Sequence, residues 1–344
     1  MLKKMLKERK LPEFKSREEM LDIMQKEVYG YLPEPPESIS FEEHRNFVYD
    51  FCANRATLTK VDITVKVCGG KEFTFPIYVA IPRKGDKHPF FVHINFRDNV
   101  PDRYMPTEEI LDLGCAVISF CYKDITSDDG DFTDGLAGVL YEDGKRPSDG
   151  AGKIAMWAWA AQRALDYAET LDCLDMEKAV VCGHSRLGKT ALFTAATDER
   201  FKFAYSNDSG CSGMAITRDK IGETVEKIYT RFPYWFCENY SKYMGKEHEM
   251  PFDQHYLTAC IAPRFLYGAS ASGDSWADPV SEQLNCVAVS EYYEKMGLKG
   301  FVCDRVAEIG DKFHEGTIGY HLRDGAHYFA REDWQWLIEF VKSK

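Results

Sequence analysis

The distribution of apolar residues along the chain predicts a largely buried sheet. The runs HPFFVHINF at 88–96 and CAVISFCY at 115–122 are almost continuously apolar, which is typical of strands covered on both faces. A shorter run, AVVC at 179–182, has the same character. Further strands are predicted at 203–207, 262–270 and 316–323.

Helical segments separate these strands. KIAMWAWAAQRALDYAETL at 153–171 predicts a strong amphipathic helix, and AREDWQWLIEFVKSK at 330–344 predicts a terminal one. A charged helix with a proline-rich turn is predicted near the N-terminus. Strands that alternate with helices favour a mainly parallel central sheet with helices on both faces, a three-layer sandwich. We assign residues 1–45 to an N-terminal helical extension and residues 46–344 to the main domain.

Two connections stand out. Gly69–Gly70 lies between two strand-like segments, 60–67 and 73–82, and predicts a hairpin. The polar stretch 123–152 carries four aspartates between 124 and 131, which raises the question of a calcium loop. Its spacing lacks the pattern of a calcium-binding loop, so we interpret it as an ordinary active-site loop.

Composition narrows the class of partner. The net charge of −12 argues against nucleic acid or an anionic membrane as the main partner. Eleven cysteines without a C-x-x-C pair favour buried free thiols in a reducing compartment. The charged N-terminal stretch has no apolar signal region, and no apolar run reaches membrane-spanning length. We therefore expect a cytoplasmic protein.

The stretch KAVVCGHSRLGKTALFTAATDERF at 178–201 predicts a strand, a sharp turn that carries Ser185, and a helix. This layout is typical of a nucleophile elbow, in which the turn holds the hydroxyl above the sheet. The usual pattern is G-x-S-x-G. Gly183 and Ser185 fit it, but Leu187 takes the place of the second glycine and Gly188 follows one residue later. The alternative is a serine that caps a buried helix.

A nucleophilic serine needs a base and an acid that orients this base, and in α/β-hydrolases the chain order is serine, acid, histidine. His327 lies between the last predicted strand and the terminal helix, where a loop would carry a base to the sheet's edge. Asp274 and Asp208 each follow a predicted strand and compete as the acid. We interpret Asp278 as turn or helix-start chemistry.

Two other histidines have structural interpretations. His321 lies inside a strand pattern, and His184, beside the elbow, is expected to pack or hydrogen-bond as a neighbour. The order of Ser185, an aspartate and His327 favours the α/β-hydrolase fold with a nucleophilic serine.

Several segments resemble the glucuronoyl esterases, carbohydrate esterase family fifteen. The resemblance runs from about the HINFR strand to the C-terminus. The similar segments are GHSRLGK, SNDSGCSG, FPYWFCENY, PFDQHYLTACIAPRFL, DSWADP and GAHYFAREDW. The family's elbow reads G-C-S-R-x-G-K, which accounts for the displaced glycine, and His184 replaces its common cysteine.

The resemblance implies a role for several residues of these segments. Ser185 would be the nucleophile and His327 the base, with Arg186 stabilising the oxyanion, a task that suits a fixed, always-charged donor. Asp208 matches the position of the glutamate in fungal members, and Asp274 matches the acid of some bacterial members.

Two further residues are implied to line the sugar site. Lys189 would donate to uronate hydroxyls, and Trp276 would cover an apolar sugar face; the alternatives are a surface lysine and a core tryptophan. Of the two acids, we expect Asp274 to orient His327 and Asp208 to support it.

These observations predict a serine carbohydrate esterase that uses no cofactor and no metal. Its expected partners are small-molecule or oligosaccharide esters. Hydrolysis of glucuronoyl esters is the first hypothesis. The alternatives are a deacetylase of acetylated xylo-oligosaccharides, in which the sugar is the leaving alcohol, and a non-catalytic sugar-binding module of the same fold. The glucuronoyl esterases that act on lignin–xylan esters are exported, whereas this sequence shows no export signal.

Overall fold

The computed structural model describes residues 1–67 and 69–344. Within them lies one sheet in the order β1-β2-β3-β5-β4-β6-β7-β8-β10-β9. The strands are β1 (Ser38–His44), β2 (Ala56–Val67), β3 (Lys71–Pro82), β4 (His88–Asn95), β5 (Ala116–Cys121), β6 (Leu174–His184), β7 (Phe203–Asn207), β8 (Phe265–Ala271), β9 (Lys312–Phe313) and β10 (Ile318–Arg323).

From β5 to β10 neighbouring strands are parallel, and the pairs β1–β2, β2–β3, β3–β5 and β9–β10 are antiparallel. The predicted mainly parallel sheet is therefore confirmed. The predicted hairpin at Gly69–Gly70 is confirmed as well, since Val67 pairs with Lys71 and the Gly70 amide donates to the Val67 carbonyl across 3.0 Å.

Helices cover both faces of the sheet. They are α1 (Leu2–Glu8), α2 (Arg17–Met24), α3 (Thr107–Asp112), α4 (Gly135–Leu140), α5 (Lys153–Ala168), α6 (Arg186–Thr197), α7 (Val225–Arg231), α8 (His255–Ala259), α9 (Pro279–Lys295) and α10 (Arg331–Ser343). None of the helices in the described ranges is long and apolar enough to cross a membrane.

The alternation of side chains along the central strands divides the core into two layers. Phe90 and Val181 pack with α5 and α6 on one face, whereas Phe91 and Val180 pack with α3 and α10 on the other. Successive side chains of a strand point to opposite faces, so continuously apolar strands can serve both layers. The three-layer sandwich follows from this pattern.

The segment expected to be an extension takes part in both the sheet and the core. Ser16 and Glu19 form a capping box at the start of α2, and a π-helical turn, Gln25–Tyr29, continues that helix. Met20 and Tyr29 are fully buried in the main core cluster, and β1 pairs with β2 along its whole length. The expected boundary at residue 45 therefore divides elements that share one sheet and one core. The sequence did not suggest β1, because only alternate residues of this edge strand are partly buried.

Candidate active site

Ser185 lies at the turn between β6 and α6, at the carboxyl end of the sheet. Its backbone has φ 58° and ψ −126°, a left-handed conformation that costs on the order of 1–3 kcal/mol for a residue other than glycine. The Ser185 amide donates to the Asn207 carbonyl across 2.8 Å and ties the turn to β7. Strain that the surrounding structure maintains at a partly buried serine whose side chain makes no capping hydrogen bond is typical of a nucleophile elbow, not of a helix cap.

The two glycines of the elbow explain its shifted pattern. A Cβ atom at Gly183 would overlap the carbonyl oxygen of Leu187, so the turn requires glycine there. A Cβ atom at Gly188 would lie 3.0 Å from the Ser206 hydroxyl, which lets α6 pack closely on β7. Leu187 is fully buried in the core, so a side chain is useful at the position where the common pattern has glycine.

His327 lies on the loop after β10, and its ring is partly open to solvent, with 45% of the side chain exposed. Its Nδ1 atom lies 2.6 Å from Oδ2 of Asp274, which follows β8 and is 5% exposed. Burial raises the pKa of Asp274, but the hydrogen bond and the charge of His327 outweigh burial and lower this pKa below its ordinary value. Asp274 is thus suited to hold the ring as a carboxylate. Among the described residues, the structure has no hydrogen bond between Ser185 and His327, a contact that is often long before substrate binds.

Asp208 approaches the same histidine without bonding to it directly. One oxygen each of Asp208 and Asp274 and a ring nitrogen of His327 lie within 4.8 Å of one another. The Asp208 carboxylate accepts hydrogen bonds from the backbone amides of Ala271, at 2.7 Å, and Tyr328, at 3.4 Å. Burial, together with the nearby carboxylates, raises the pKa of Asp208 well above its ordinary value. Asp274 therefore contacts the imidazole ring of His327, whereas Asp208 contacts the backbone of the loop that carries this histidine.

The neighbouring histidines have the surroundings expected of packed residues. His184 is buried, its Nδ1 atom lies 2.6 Å from Oδ1 of Asn207, and its ring centroid lies 4.3 Å from that of His327. Burial, and then the electrostatic effect of the neighbouring His327, lower the pKa of His184 well below its ordinary value, so His184 is a neutral neighbour of the candidate base. His321 is fully buried and bonds to Asp333, at 2.8 Å. Asp278 caps α9, as its sequence context predicted.

Arg186, the first residue of α6, is held by the loop 123–152. Its guanidinium pairs with the carboxylate of Asp128 and lies 4.5 Å from the centroid of the Trp235 ring. Asp128 also accepts hydrogen bonds from Trp235, at 2.7 Å, and from the Tyr122 hydroxyl, at 2.8 Å. The polar loop therefore reaches the elbow, and it fixes the cation next to the candidate nucleophile.

Lys189 is buried, with 4% of its side chain exposed, which excludes a surface lysine. Its ammonium group donates to the carbonyls of Cys211, at 2.7 Å, and Ser209, and lies 3.6 Å from the Glu223 carboxylate. Glu223 in turn accepts a hydrogen bond from the Trp276 indole across 3.1 Å. Trp276 is 48% exposed, so it is not a core tryptophan. Glu223 links the two residues that the resemblance assigned to a sugar site, and nothing in its sequence context singled it out.

Two groups of acids invite comparison with metal sites. In the first, His327 bonds to Asp274, and Asp208 accepts hydrogen bonds from the backbone amides of Ala271 and Tyr328, as described above. In the Asp-rich loop, the ammonium group of Lys153 is fully buried and donates to Thr126, at 2.7 Å, and to Ser127, at 3.2 Å. Oxygen atoms of this loop are thus engaged by a buried lysine cation, an arrangement that does not fit a calcium site.

The fold and this arrangement of serine, histidine and carboxylate define the chain as an α/β-hydrolase. The family model described as "Glucuronyl esterase, fungi" matches residues 63–297, more than half of the chain. The chain therefore belongs to the glucuronoyl esterase family.

Individual relatives agree with this assignment. The carbohydrate esterase MZ0003 from an unknown prokaryotic organism is 41% identical over 236 residues, which cover 68% of this chain and 54% of that protein. The 4-O-methyl-glucuronoyl methylesterase of Podospora anserina is 25% identical over 293 residues, covering 81% and 55% of the two proteins. The chain thus spans about half the length of these curated relatives. The solved glucuronoyl esterase from Solibacter usitatus is similar with a TM-score of 0.86 and 31% identity, over 96% of this chain and 92% of that one.

Proposed function

We propose that this protein is a serine esterase that hydrolyses esters of glucuronic acid or 4-O-methyl-glucuronic acid. The observation that carries the proposal is the position of the His327–Asp274 pair beside the strained Ser185 turn, together with the buried Lys189–Glu223 pair and the exposed Trp276. Ser185, His327 and Asp274 provide acyl-transfer chemistry. The other three residues offer charged, hydrogen-bonding and flat apolar groups for a uronate ring. Relatives named 4-O-methyl-glucuronoyl methylesterases support this choice of acyl group.

The reaction begins with attack of the Ser185 hydroxyl on the ester carbonyl while His327 takes the hydroxyl proton. Asp274 holds the imidazole through Nδ1, so that Nε2 is free to accept this proton, and its charge stabilises the resulting imidazolium. The carbonyl oxygen becomes an oxyanion. Arg186 and the backbone amide that follows the nucleophile stabilise this charge.

Collapse of the tetrahedral intermediate breaks the bond to the alcohol, which leaves with the proton from His327. Water then attacks the uronoyl–Ser185 ester, with His327 again acting as base, and the uronic acid is released as Ser185 regains its proton. Neither half of the reaction needs a metal or a redox partner. The polarity of the ester matters here, because the sugar is the acyl part and not the leaving alcohol.

Parallel assays with two esters test the proposal. Methanol release from methyl 4-O-methyl-glucuronate is compared with acetate release from acetylated xylo-oligosaccharides, with Ser185→Ala as the inactive control. We expect a higher kcat/KM for the glucuronate ester. Faster release of acetate would instead identify a deacetylase, and no turnover of either ester would leave the sugar-binding hypothesis. The cytoplasmic location and the absence of nucleic-acid and membrane partners stay predictions.

A further inference from the structure

Arg323 is the last residue of β10 and directly precedes the loop that carries His327. Only 4% of its side chain is exposed. Its guanidinium donates to the backbone carbonyls of Asp324, at 2.9 Å, Ala326, at 2.9 Å, and Tyr328. Two of these carbonyls flank His327 on either side. One buried side chain therefore fixes the backbone on both sides of the candidate base.

The same guanidinium has two buried carboxylate partners. Its Nε atom lies 2.8 Å from Oδ2 of Asp333, and its Nη2 atom lies 3.3 Å from Oδ2 of Asp208. Asp333 is itself held in place, because it accepts hydrogen bonds from His321, at 2.8 Å, and from the Ala330 amide, at 2.6 Å. Arg323 thus connects the start of α10 with the carboxyl ends of β7 and β10.

We propose that Arg323 is a positioning residue for the proposed esterase reaction: it fixes the His327 loop and holds the Asp208 carboxylate against that loop, so that Asp274 pairs with the imidazole. The inference rests on the proposed function, because it assigns His327 the role of base. It also gives Asp208 a task that differs from orienting the ring directly.

Displacement of a reacting group by about 1 Å can lower the rate about 10²-fold, because the near-attack arrangement is lost. Without Arg323, three backbone carbonyls and the Asp208 carboxylate lose a charged donor in a buried place, and the loop can shift. Lys189 lies on α6 and Trp276 on the loop after β8, and neither bonds to Arg323, so binding of the sugar proposed at these two residues should change little.

Arg323→Met tests this inference, because it keeps an unbranched apolar side chain and removes all the donors. Arg264→Met is the matched control. Arg264 also donates to three backbone carbonyls, those of Asp198, Phe201 and Cys260, but it precedes β8 at the end of the sheet opposite the elbow. For Arg323→Met we expect kcat to fall about 10²-fold with KM nearly unchanged. For Arg264→Met we expect loss of thermal stability with both constants near the wild-type values.

A double-mutant cycle adds a readout that general destabilisation would not produce. If Arg323 and Asp208 act as one unit, Arg323→Met combined with Asp208→Asn should lose no more activity than the worse single variant. Losses that multiply would overturn the inference. So would a wild-type kcat in Arg323→Met, or equal effects of Arg323→Met and Arg264→Met on kcat.

Two further measurements cover the other outcomes. Should Arg323→Met fail to fold, Arg323→Lys is measured instead, because a lysine keeps the positive charge but lacks the several N–H donors of the guanidinium. For Arg323→Lys, kcat should still fall with KM unchanged. Full activity of this variant would refute the proposal. Labelling of Ser185 by a fluorophosphonate needs the base but no sugar ester. Slower labelling of the Arg323 variant than of the Arg264 variant supports the inference even if glucuronate esters prove not to be substrates, whereas equal labelling rates refute it.

Discussion

His327 and Asp274 meet across two loops, with Nδ1 of the ring 2.6 Å from Oδ2 of the carboxylate. The loops follow β10 and β8, which are neighbours in the sheet and parallel, so both open at the same edge. Asp208 follows β7, the next strand along, and its carboxylate accepts hydrogen bonds from the backbone of Ala271 and Tyr328. The topology thus brings two carboxylates to one histidine, and the side-chain contacts distinguish their roles.

The first prediction separates the two acids. Asp274→Asn should lower kcat about 10⁴-fold, because an amide favours the wrong tautomer of the histidine. Asp208→Asn should lower kcat only about 10²-fold, because it disturbs the loop and not the ring itself. Steady-state kinetics of both single variants and of the pair check this. A nearly unaffected Asp274→Asn beside a strongly impaired Asp208→Asn would show that Asp208 is the orienting acid.

The second prediction concerns Ser185. Ser185→Ala and Ser185→Gly should both lose at least about 10⁴-fold in kcat, because neither has a nucleophile. The two should differ in stability. Glycine adopts a φ of 58° without strain, so Ser185→Gly should gain about 1 kcal/mol in the free energy of unfolding, whereas Ser185→Ala should stay near the wild type. Urea unfolding with an activity assay measures both effects, and a folded Ser185→Ala with most of its activity would remove Ser185 from the mechanism.

The third prediction concerns the sugar site. Trp276 is half exposed and its indole donates to Glu223, as expected of a ring that covers a sugar face in the proposed function. Trp276→Ala should raise KM for a methyl glucuronate ester about tenfold, equivalent to about 1.4 kcal/mol of binding free energy. Hydrolysis of 4-nitrophenyl acetate, which has no sugar, is the control and should be unchanged. Equal losses on both esters would place Trp276 in the catalytic machinery or in the fold, not in sugar binding.

The elbow shows how far local sequence can predict a site. Apolar continuity at 179–182, then Gly183 and Ser185, predicted the strand and the turn, because these depend on neighbouring residues. The family resemblance accounts for the displaced glycine as a motif, but its physical reason, the close contact of Gly188 with β7, comes only from the structure. Local patterns thus predicted the strand, turn and helix around Ser185 but not the packing that shapes the turn.

Other parts of the site depend on contacts between residues far apart in the chain. Asp128 pairs with Arg186 across 58 positions of sequence, and Glu223 contacts Lys189 only because the loop after β7 folds back over α6. In the sequence, Arg323 is an arginine at the end of a predicted strand, and nothing there indicates its carbonyl and carboxylate partners. No periodicity in the sequence determines the path of a loop, so the roles of Asp128, Glu223 and Arg323 could not be predicted from the sequence.

The fourth prediction is that chelation leaves the activity unchanged. The oxygens of Asp208 and Asp274 are engaged by backbone donors and by His327, and Lys153 supplies the cation of the Asp-rich loop. Prolonged dialysis against EDTA should therefore not alter kcat on a glucuronate ester. A loss of activity that one added metal ion restores would contradict both the prediction and the proposed mechanism.

The last prediction concerns Glu282, a fully buried residue of α9 beneath the active-site loops. Its carboxylate accepts hydrogen bonds from the Gly210 amide, at 2.8 Å, and from the Ser270 hydroxyl, at 2.5 Å. Burial raises the pKa of Glu282 from 4.5 to about 7, and these hydrogen bonds offset burial only in part. The carboxyl group of Glu282 therefore binds a proton more tightly in the folded state than in the unfolded chain.

The sign of the pH effect follows from this difference. The stability that the proton provides is fully present below about pH 4.5 and is lost as the pH rises through about 7, and its size is at most about 3 kcal/mol. Glu282→Gln keeps an acceptor for Gly210 and stays neutral at every pH. The wild type should therefore lose stability relative to Glu282→Gln between pH 5 and 8 in urea unfolding. Glu291→Gln, which removes an exposed acid from the same helix, should follow the wild type at both pH values. Parallel behaviour of the wild type and Glu282→Gln would mean that Glu282 does not take up a proton in this range.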